Sequence, residues 1–542
     1  MAKKVLIIIP ARGGSKGIPR KNLRILGGKP LIFYSIQNAL KVKSVDVDCY
    51  VSSEDKEILL MASKFGAKSH LRLQKIAEDH VTLDPVIFDA YIKIKEKEEV
   101  KYDYVITLQP TSPLLKKKSI EDALKMMEDN QLDTLISGVE DRHLTWIRKA
   151  GSFSPNYSER VNRQLLPEIY KETGGFVITK ANYVTEKSRF GKQIGIFPLS
   201  KKESIDIDNY EDWNLCQYYL NRKTILFVVV GNETVGMGHV YNTLSIANEI
   251  LDHRIVFLAD KDSQLAYKKI AESNYEVYHQ KELLINDIDS INPDIIINDI
   301  LDTSLQYMQT LKSKKYTVIN FEDLGEGSLS ADLVINAMYP ENKVALDHYY
   351  GAKYFILRDE FLYTTDKKIE PKVKNVLISF GGVDPNNFTA RVLGIIASYC
   401  EKNEIQITVV SGMGYIHNEL VRQTFPNILV KQNISNISDE MLKSDIVFTS
   451  AGRTTFEVAS IGVPSIVLCQ NERETTHFFA SEKNGFYNLG LGTKVTDAII
   501  LEAFMNALEF DLRKVMNKRM LDNKLKTGKS RVLKLIKKTI LK

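Results

Sequence analysis

The sequence predicts an α/β protein built from repeated strand–loop–helix units. Short β-branched runs alternate with longer helical patterns along the chain, which is typical of parallel, doubly wound sheets. A strand followed by a glycine-rich loop opens the chain, and the same pattern starts again near residue 224. An apolar content of 44% in 542 residues is enough for large cores. We therefore expect more than one α/β domain.

The first predicted domain covers residues 1–222. Its β-branched runs predict strands at 5–9, 47–52, 105–108, 134–139, 176–179 and 194–198. The longer patterns between them predict helices at 31–42, 56–65, 84–97 and 120–128. This order predicts a doubly wound, Rossmann-like sheet of parallel strands.

The second predicted domain covers residues 223–542 and has two halves, at about 223–368 and 369–542. A charged, proline-containing linker at 364–375 separates the later strands of the first half from a new strand and glycine pair at 376–382. Two successive α/β halves with a ligand cleft between them form the glycosyltransferase-B architecture. In such sheets ligands bind at the carboxyl ends of the strands.

Charge and cysteine usage exclude several function classes. The net charge is +5, with 73 basic and 68 acidic residues interspersed, so we expect no nucleic-acid partner. The basic segment 524–542 has apolar residues at helical spacing, and we expect a helix packed on its own domain, although such a helix also fits a membrane surface. No run approaches the roughly 18–20 apolar residues that span a bilayer, so we expect no membrane insertion. Four separated cysteines and the lack of a signal peptide favour a cytoplasmic protein with reduced thiols.

The loop after the first strand has the composition of a phosphate-binding loop. Residues 7–22 read IIIPARGGSKGIPRKN, with three glycines and the cations Arg12, Lys16 and Lys21. Glycines let backbone N–H groups approach phosphate oxygens, and the cations neutralise phosphate charge. The spacing matches neither the P-loop nor the dinucleotide-binding fingerprint. A basic surface loop is the alternative.

Two later segments add candidate ligands. Gln109 ends a predicted strand before a proline-rich turn and could pair with a base or sugar edge. Asp206 and Asp208 point to the same side if their segment is extended, because side chains alternate there. Adjacent carboxylates repel unless a cation lies between them, and Mg²⁺ meets that need. A pair that caps the following helix is the alternative.

The segments PARGGSKGIPRKN, LQPTSPL, NRQLLP and SIDID, in this order, resemble the CMP-sialic acid synthetases over roughly residues 3–220. The resemblance implies a nucleotidyltransferase that transfers CMP from CTP to a nine-carbon nonulosonic acid with Mg²⁺, and a homodimer. The hydroxyl of the sugar acid attacks the α-phosphorus and pyrophosphate leaves, with Asp208 or a metal-bound water as the proton acceptor. The implied contacts are Arg12, Ser15, Lys16, Lys21 and Asn22 for CTP, Gln109, Arg163 and Gln164 for the sugar acid or nucleotide, and Asp206 and Asp208 for Mg²⁺.

The second domain has its own candidate site. Gly238 and His239 lie at a predicted strand-to-helix turn, and Gly382 lies at the equivalent turn of the second half. Glu457 lies in the first turn of a predicted helix whose N-terminus favours a diphosphate, which would place the glutamate near a ribose. A histidine at a helix start can also be a purely structural hydrogen bonder.

These motifs resemble the UDP-sugar hydrolase of the pseudaminic acid pathway, a relative of the glycosyltransferase-B enzymes, over about residues 224–500. The resemblance implies that His239 activates or orients water and that a UDP-linked 2,4-diacetamido-trideoxy sugar is hydrolysed. Asp299 would assist, and Gly238, Gly382, Glu457 and Asn471 would contact the sugar nucleotide. A UDP-sugar glycosyltransferase and a non-catalytic binding module remain open. The whole chain is expected to be a bifunctional enzyme of nonulosonic acid biosynthesis.

Overall fold

The computed structural model describes residues 3–78, 80–149, 151–340, 345–412, 414–434 and 436–541. The chain divides into two compact units, Met1–Arg222 and Lys223–Lys542. Each unit has its own buried cores.

The first unit contains eleven strands and five α-helices within the described residues. The strands are β1 (Lys4–Pro10), β2 (Ile25–Leu26), β3 (Lys29–Pro30), β4 (Asp46–Ser53), β5 (Lys68–Leu71), β6 (Tyr104–Leu108), β7 (Thr134–Glu140), β8 (Trp146–Lys149), β9 (Ser152–Pro155), β10 (Tyr170–Lys180) and β11 (Ile194–Pro198). The helices are α1 (Leu31–Lys41), α2 (Lys56–Lys64), α3 (Leu83–Glu98), α4 (Lys117–Asp129) and α5 (Tyr210–Asn221).

Seven of these strands form one sheet in the order β11-β7-β10-β6-β1-β4-β5. The expectation of a fully parallel sheet needs one correction, because β10 runs antiparallel to β6 and to β7. The described part of the connection from β7 to β10 contains the hairpin β8–β9 and a short 3₁₀ turn in place of a crossover α-helix. Without a crossover the returning strand is antiparallel.

The sheet brings three sequence motifs to one edge. β1, β4 and β6 are adjacent and parallel, so the segments that follow them lie at the same carboxyl edge. These segments are the glycine-rich loop, the turn into α2 and the proline-rich turn. Residues 5–9 of β1 are all apolar and buried, as expected for a central strand with both faces of the sheet covered.

The first half of the second unit begins at the restart seen in the sequence. Its strands are β12 (Thr224–Val229), β13 (Arg254–Ala259), β14 (Glu276–His279), β15 (Ile295–Asp299), β16 (Thr317–Phe321), β17 (Leu333–Asn336) and β18 (His348–Tyr350). Its helices are α6 (Gly238–Ala247), α7 (Gln264–Glu272), α8 (Leu284–Ile291), α9 (Leu305–Ser313) and α10 (Asp359–Tyr363). All seven strands are parallel, in the order β14-β13-β12-β15-β16-β17-β18.

The second half repeats this plan, and its described residues form six parallel strands in the order β21-β20-β19-β22-β23-β24. The strands are β19 (Asn375–Ile378), β20 (Gln406–Ser411), β21 (Leu429–Gln432), β22 (Ile446–Thr449), β23 (Ser465–Cys469) and β24 (Phe486–Leu491). The helices are α11 (Phe388–Lys402), α12 (Asn418–Thr424), α13 (Ile437–Lys443), α14 (Thr454–Ile461), α15 (Asp497–Ala507), α16 (Phe510–Leu521) and α17 (Gly528–Ile540). The second unit therefore has the two-half, glycosyltransferase-B-like architecture.

The last helix packs on a different half of the second unit from the one predicted from the sequence. The sequence places residues 524–541 in the second half, whereas α17 packs on the first half through Val532, Ile536 and Ile540. These residues recur every four positions and form one apolar stripe, which is buried in the core of the first half. The prediction that this helix packs on its own domain is confirmed.

No described helix combines the length and the apolar character that crossing a membrane requires. All four cysteines are buried and unpaired.

Candidate active sites

The glycine-rich loop of the first unit is held by residues that follow β4 and β5. The N–H of Gly13 donates to Oε1 of Glu54 over 2.6 Å, and the Nε and Nη2 atoms of Arg72 donate to the other oxygen of Glu54 at 3.0 and 2.8 Å. Within the loop, Nδ2 of Asn22 donates to the carbonyl of Arg12 over 2.9 Å. The sequence did not single out Glu54 or Arg72, because their role depends on β4 lying beside β1.

Asp206 and Asp208 differ sharply in exposure. Oδ1 of Asp206 is buried and has no hydrogen-bond partner among the described residues, whereas the side chain of Asp208 is 78% exposed. Nζ of Lys21 donates to the carbonyl of Ile207 and lies 3.7 Å from Oδ1 of Asp208. Burial raises the pKa of Asp206 and the charge of Asp208 adds to this shift, whereas the neighbouring hydroxyl of Thr111 and the charge of Lys21 oppose it. The pair is therefore a site where a cation is electrostatically favoured.

The structure contradicts the alternative that these aspartates cap the next helix. Oδ1 of Asn209 accepts from the backbone N–H groups of Glu211 and Asp212, at 2.8 and 3.0 Å. Oδ2 of Asp212 accepts from the N–H of Asn209, which completes a capping box at the start of α5. The cap comes from the following residues, and the side chains of Asp206 and Asp208 take no part in it.

Three distant motifs meet at this pair. A Cβ on Gly17 would lie 2.3 Å from the carbonyl oxygen of Asp208, and a Cβ on Gly174 would lie 2.7 Å from Oδ2 of Asp206. The N–H of Ile207 donates to the carbonyl of Thr111 in the proline-rich turn over 2.9 Å. Gly174 lies where the register of β10 against β7 shifts. Both glycines are needed because the acidic segment lies directly against them.

The residues present fit Mg²⁺. This ion uses one or two protein carboxylates and takes its other ligands from water and phosphate, and a buried carboxylate oxygen without a partner beside an exposed carboxylate matches that pattern. In the described ranges no group of three or more His, Cys, Asp or Glu side chains is arranged to hold a metal ion. A site of this kind would depend on phosphate oxygens for completion.

The remaining predicted residues of the first unit are less tightly grouped. Gln109 follows β6 beside the proline-rich turn, and its carbonyl accepts from Oγ of Ser35 over 3.1 Å. Ser15 and Lys16 lie on the glycine-rich loop. Arg163 and Gln164 lie on an exposed 3₁₀ turn, and no hydrogen bond or ion pair found in the described residues joins them to that loop.

The second unit contains a cavity of about 600 Å³ between its two halves. The segments that line it follow the carboxyl ends of strands in both sheets. All six residues predicted for this unit line the cavity: Gly238, His239, Asp299, Gly382, Glu457 and Asn471. The volume is within the range of ligand pockets.

A hydrogen-bonded chain polarises His239. Nδ1 of His239 lies 2.5 Å from Oδ1 of Asp299, and Nδ2 of Asn242 donates to Oδ2 of the same carboxylate over 2.7 Å. Asp299 is fully buried, whereas His239 keeps 14% of its side chain exposed. A carboxylate at Nδ1 keeps the proton on that nitrogen and leaves Nε2 as the acceptor. The imidazole can therefore take a proton from a water or hydroxyl in the cavity.

Glu457 and Asn471 have protein partners in addition to their place at the cavity. Nε of Arg358 donates to Oε1 of Glu457 over 2.8 Å, so the charge of this glutamate is already compensated. Oδ1 of Asn471 accepts a hydrogen bond from the N–H of Glu474 over 3.0 Å, and this bond stabilises the turn after β23. Any contact with a ribose would use the other atoms of these groups.

The cavity also contains an acidic residue that the sequence did not indicate. Glu322 follows β16 and is buried, and its two carboxylate oxygens accept from the N–H groups of Ala337 and Met338 at 3.0 and 3.3 Å. Its backbone is in the left-handed region, with φ of 51°. Burial raises the pKa of Glu322 to about 8, and the charge of Asp299 adds to the shift. An acidic residue after a predicted strand was the only signal in the sequence.

Comparison with known proteins identifies a family for the first unit. The model of the family described as "Cytidylyltransferase" matches residues 6–226. A pseudaminic acid cytidylyltransferase of Campylobacter jejuni is 35% identical over 219 residues, which are 39% of this chain and 93% of that protein. A CMP-N,N'-diacetyllegionaminic acid synthase of Legionella pneumophila is 31% identical over 227 residues, 40% of this chain and 95% of that protein.

A further relative is matched over a longer stretch. An uncharacterized protein of Methanocaldococcus jannaschii is 33% identical over 276 residues, which are 46% of this chain. The match spans only 56% of that relative's own length.

Proposed function

Because the chain belongs to the cytidylyltransferase family through its first unit, we propose that this unit transfers CMP from CTP to a nine-carbon sugar acid and releases pyrophosphate. The observation that carries the proposal is the convergence of the glycine-rich loop on Asp206 and Asp208. A cationic loop beside a carboxylate pair is suited to a polyphosphate that arrives with a divalent cation. The Campylobacter jejuni relative is named for pseudaminic acid and the Legionella pneumophila relative for CMP-N,N'-diacetyllegionaminic acid, which supports pseudaminic or legionaminic acid as the class of sugar acid.

The chemistry is an in-line displacement at the α-phosphorus of CTP. The bond from the sugar hydroxyl oxygen to phosphorus forms as the bond to pyrophosphate breaks, and the hydroxyl proton leaves. Asp206 and Asp208 would hold Mg²⁺, which neutralises phosphate charge when it is bound. Arg12 and Lys16 on the loop would compensate the charge of the departing pyrophosphate, and Lys21 holds the acidic segment through the hydrogen bond from Nζ to the carbonyl of Ile207. Most of the acceleration would come from positioning and charge neutralisation.

The test is pyrophosphate release by the full chain with CTP, Mg²⁺ and a panel of nonulosonic acids. We expect release with CTP and little with UTP or GTP. Asp206→Asn and Asp208→Asn should each reduce the rate at least about 100-fold, because each removes a charged ligand at the reacting phosphates. Equal rates with all three nucleotides would contradict the proposed reaction.

Glu211→Gln is the matched control for these variants. Glu211 lies three residues beyond Asp208 and is exposed in the first turn of α5. Its loss removes the same charge from the same region without touching the carboxylate pair. Full activity in Glu211→Gln together with full activity in Asp206→Asn would contradict the proposed metal site.

For the second unit we propose hydrolysis of a UDP-linked 2,4-diacetamido-trideoxy sugar. The observation that carries this proposal is the Asn242–Asp299–His239 chain, which leaves Nε2 of His239 as a base at the wall of the cavity. Water would attack the anomeric carbon as the bond to the diphosphate breaks, and Nε2 would take the proton of that water. The same base would serve an acceptor hydroxyl equally well, so a glycosyltransferase is the alternative reaction.

The test incubates the full chain with UDP-linked amino sugars, with and without sugar acceptors, and measures UDP by mass spectrometry. Release of UDP without an acceptor, lost in His239→Gln, supports hydrolysis. Release that depends strictly on an acceptor would identify a transferase. Binding of the sugar nucleotide without any turnover would identify a non-catalytic binding unit.

A further inference from the structure

Three arginines line the cavity of the second unit, and one differs from the others in its partners. Arg358 pairs with Glu360 and Glu457 at 3.0 and 2.8 Å. Arg473 pairs with Asp302 at 3.0 Å. For the third, Arg453, no carboxylate lies within 4.0 Å among the described residues. Its positive charge is therefore not cancelled by direct contact with an acidic side chain.

The side chain of Arg453 is nevertheless held firmly. Arg453 directly precedes the first residue of α14. Its Cδ atom packs so closely on Gly238 that a Cβ added to this glycine would lie 2.8 Å from it. The guanidinium lies 4.4 Å above the ring of Phe355, and Nη2 donates to the carbonyl of Ile356 over 2.7 Å. The stem therefore crosses the start of α6, next to His239. A guanidinium has five N–H donors, so four remain after the bond to Ile356.

The acidic groups nearest to Arg453 already have other partners. Glu457 is bonded to Arg358, and Asp299 is bonded to His239 and Asn242. Burial lowers the pKa of Arg453, and the charges of Glu457, Asp299 and Glu322 oppose this shift. An arginine keeps its charge in proteins. A charged fork with spare donors, fixed at a cavity wall, is suited to an anion with several oxygens.

We propose that Arg453 binds the diphosphate of the sugar nucleotide and stabilises the charge that develops on it as the sugar–phosphate bond breaks. This inference rests on the proposed function of the second unit. Water forms a bond to the anomeric carbon, the electron pair of the broken bond leaves with the diphosphate, and Nε2 of His239 takes the water's proton. The leaving group gains one negative charge in this step. A fixed cation at that position stabilises the transition state more than the ground state.

The experiment uses the full chain and the variants Arg453→Met and Arg453→Lys. UDP release from the UDP-linked sugar is followed as kcat and KM, and binding of UDP and of uridine is measured by calorimetry. We expect Arg453→Met to lower kcat about 100- to 1,000-fold, which is the loss typical of removing one charge-stabilising donor. Affinity for UDP should fall, affinity for uridine should stay unchanged, and Arg453→Lys should restore part of both losses.

Arg422→Met is the control, since it removes an exposed arginine of α12 outside the cavity that pairs only with Glu419 among the described residues. If the wild type hydrolyses the sugar nucleotide and Arg453→Met retains its kcat, the inference is wrong while the proposed function stands. If the wild type releases no UDP, the proposed hydrolysis is wrong. In that case selective loss of UDP binding in Arg453→Met still supports the diphosphate contact, and equal binding of UDP and uridine by all proteins overturns it.

Discussion

In the first unit the side chain of Asp208 is 78% exposed beside a cationic loop, whereas in the second unit Asp299 is fully buried behind His239. The first pair has a buried oxygen without a described partner. In the second unit both carboxylate oxygens are bonded to side chains. The two sites would therefore be polarised in different ways. The first would depend on a cation and phosphates that arrive with the substrate, and the second on a hydrogen-bonded chain of its own side chains.

Chelation is the strongest way to separate the two sites. With EDTA in excess over Mg²⁺, CMP transfer should fall at least about 100-fold if the proposed Mg²⁺ site operates, since the charge of the phosphates would no longer be neutralised there. UDP release by the second unit should persist, because His239 and Arg453 are supplied by the chain itself. Both activities are measured in the same preparation with excess Mg²⁺ added back as the control. Equal losses of both activities would remove the contrast between the sites.

The reverse separation comes from the His239–Asp299 pair. His239→Gln should lower kcat for UDP release about 100- to 10,000-fold by removing the base. Asp299→Asn should also lower it strongly, since an amide no longer enforces the proton at Nδ1. CMP transfer by the first unit, assayed in the same variants, should be unchanged. A variant that retains UDP release would show that the imidazole is only a structural hydrogen bonder.

Two glycines of the same loop provide a matched pair for the first unit. Gly17→Ala places a Cβ 2.3 Å from the carbonyl oxygen of Asp208, so the acidic segment must move. Overpacking of this kind costs about 1–3 kcal/mol, and we expect CMP transfer to fall about 10- to 100-fold. Gly14→Ala is the control for this packing cost, since nothing lies within 4 Å of its added Cβ. The free energy of unfolding should fall in Gly17→Ala and stay unchanged in Gly14→Ala, and equal stability of the two variants would contradict the close approach of loop and carboxylates.

The smallest expected effect concerns the pH dependence of stability in the second unit. The pKa of Glu322 is raised from 4.5 to about 8 in the folded chain, so between these pH values the folded state holds a proton that the unfolded state has lost. The free energy of unfolding should therefore fall as pH rises through this window, by at most about 1.4 kcal/mol per pH unit from this residue. Denaturant unfolding of the full chain at several pH values between about 5.5 and about 7.5, which lie inside this window, measures the slope.

Glu322→Gln should flatten that slope, whatever its effect on the absolute stability. Glu326→Gln, four residues further on and exposed, is the control and should leave the slope as in the wild type. An unchanged slope in Glu322→Gln would show that the buried carboxyl group is ionised throughout the window.

Much of the local structure could be predicted from the sequence. The predicted strand at 5–9 lies within β1, and the predicted helix at 56–65 contains α2 with one residue beyond its end. These elements follow from β-branched runs and helical periodicity, which act over a few residues. The antiparallel direction of β10 could not be predicted in this way, because it depends on the connection that precedes it rather than on the strand's own residues.

The candidate sites show the same division. The phosphate-type loop, the aspartate pair and the glycine turn before His239 could be recognised from residue types at short spacing. The partner of His239 lies 60 positions away, and Arg453 reaches Gly238 from the other half of the unit. Neither contact produces a periodic or short-range pattern in the sequence. The His239–Asp299 and Arg453–Gly238 contacts can therefore be identified only from the three-dimensional structure.

Many of the strands and helices and the charged short motifs could be recognised in the amino-acid sequence, because those properties depend on neighbouring residues. The three-dimensional structure was needed to show that Asn209 and Asp212 cap α5 while Asp206 keeps a buried oxygen without a described partner. It also decided that α17 returns to the first half, that Glu322 is buried in the cavity wall and that His239 meets Asp299. The physical reason is that burial and long-range hydrogen bonding are set by which strands become neighbours, and this is a property of the whole fold.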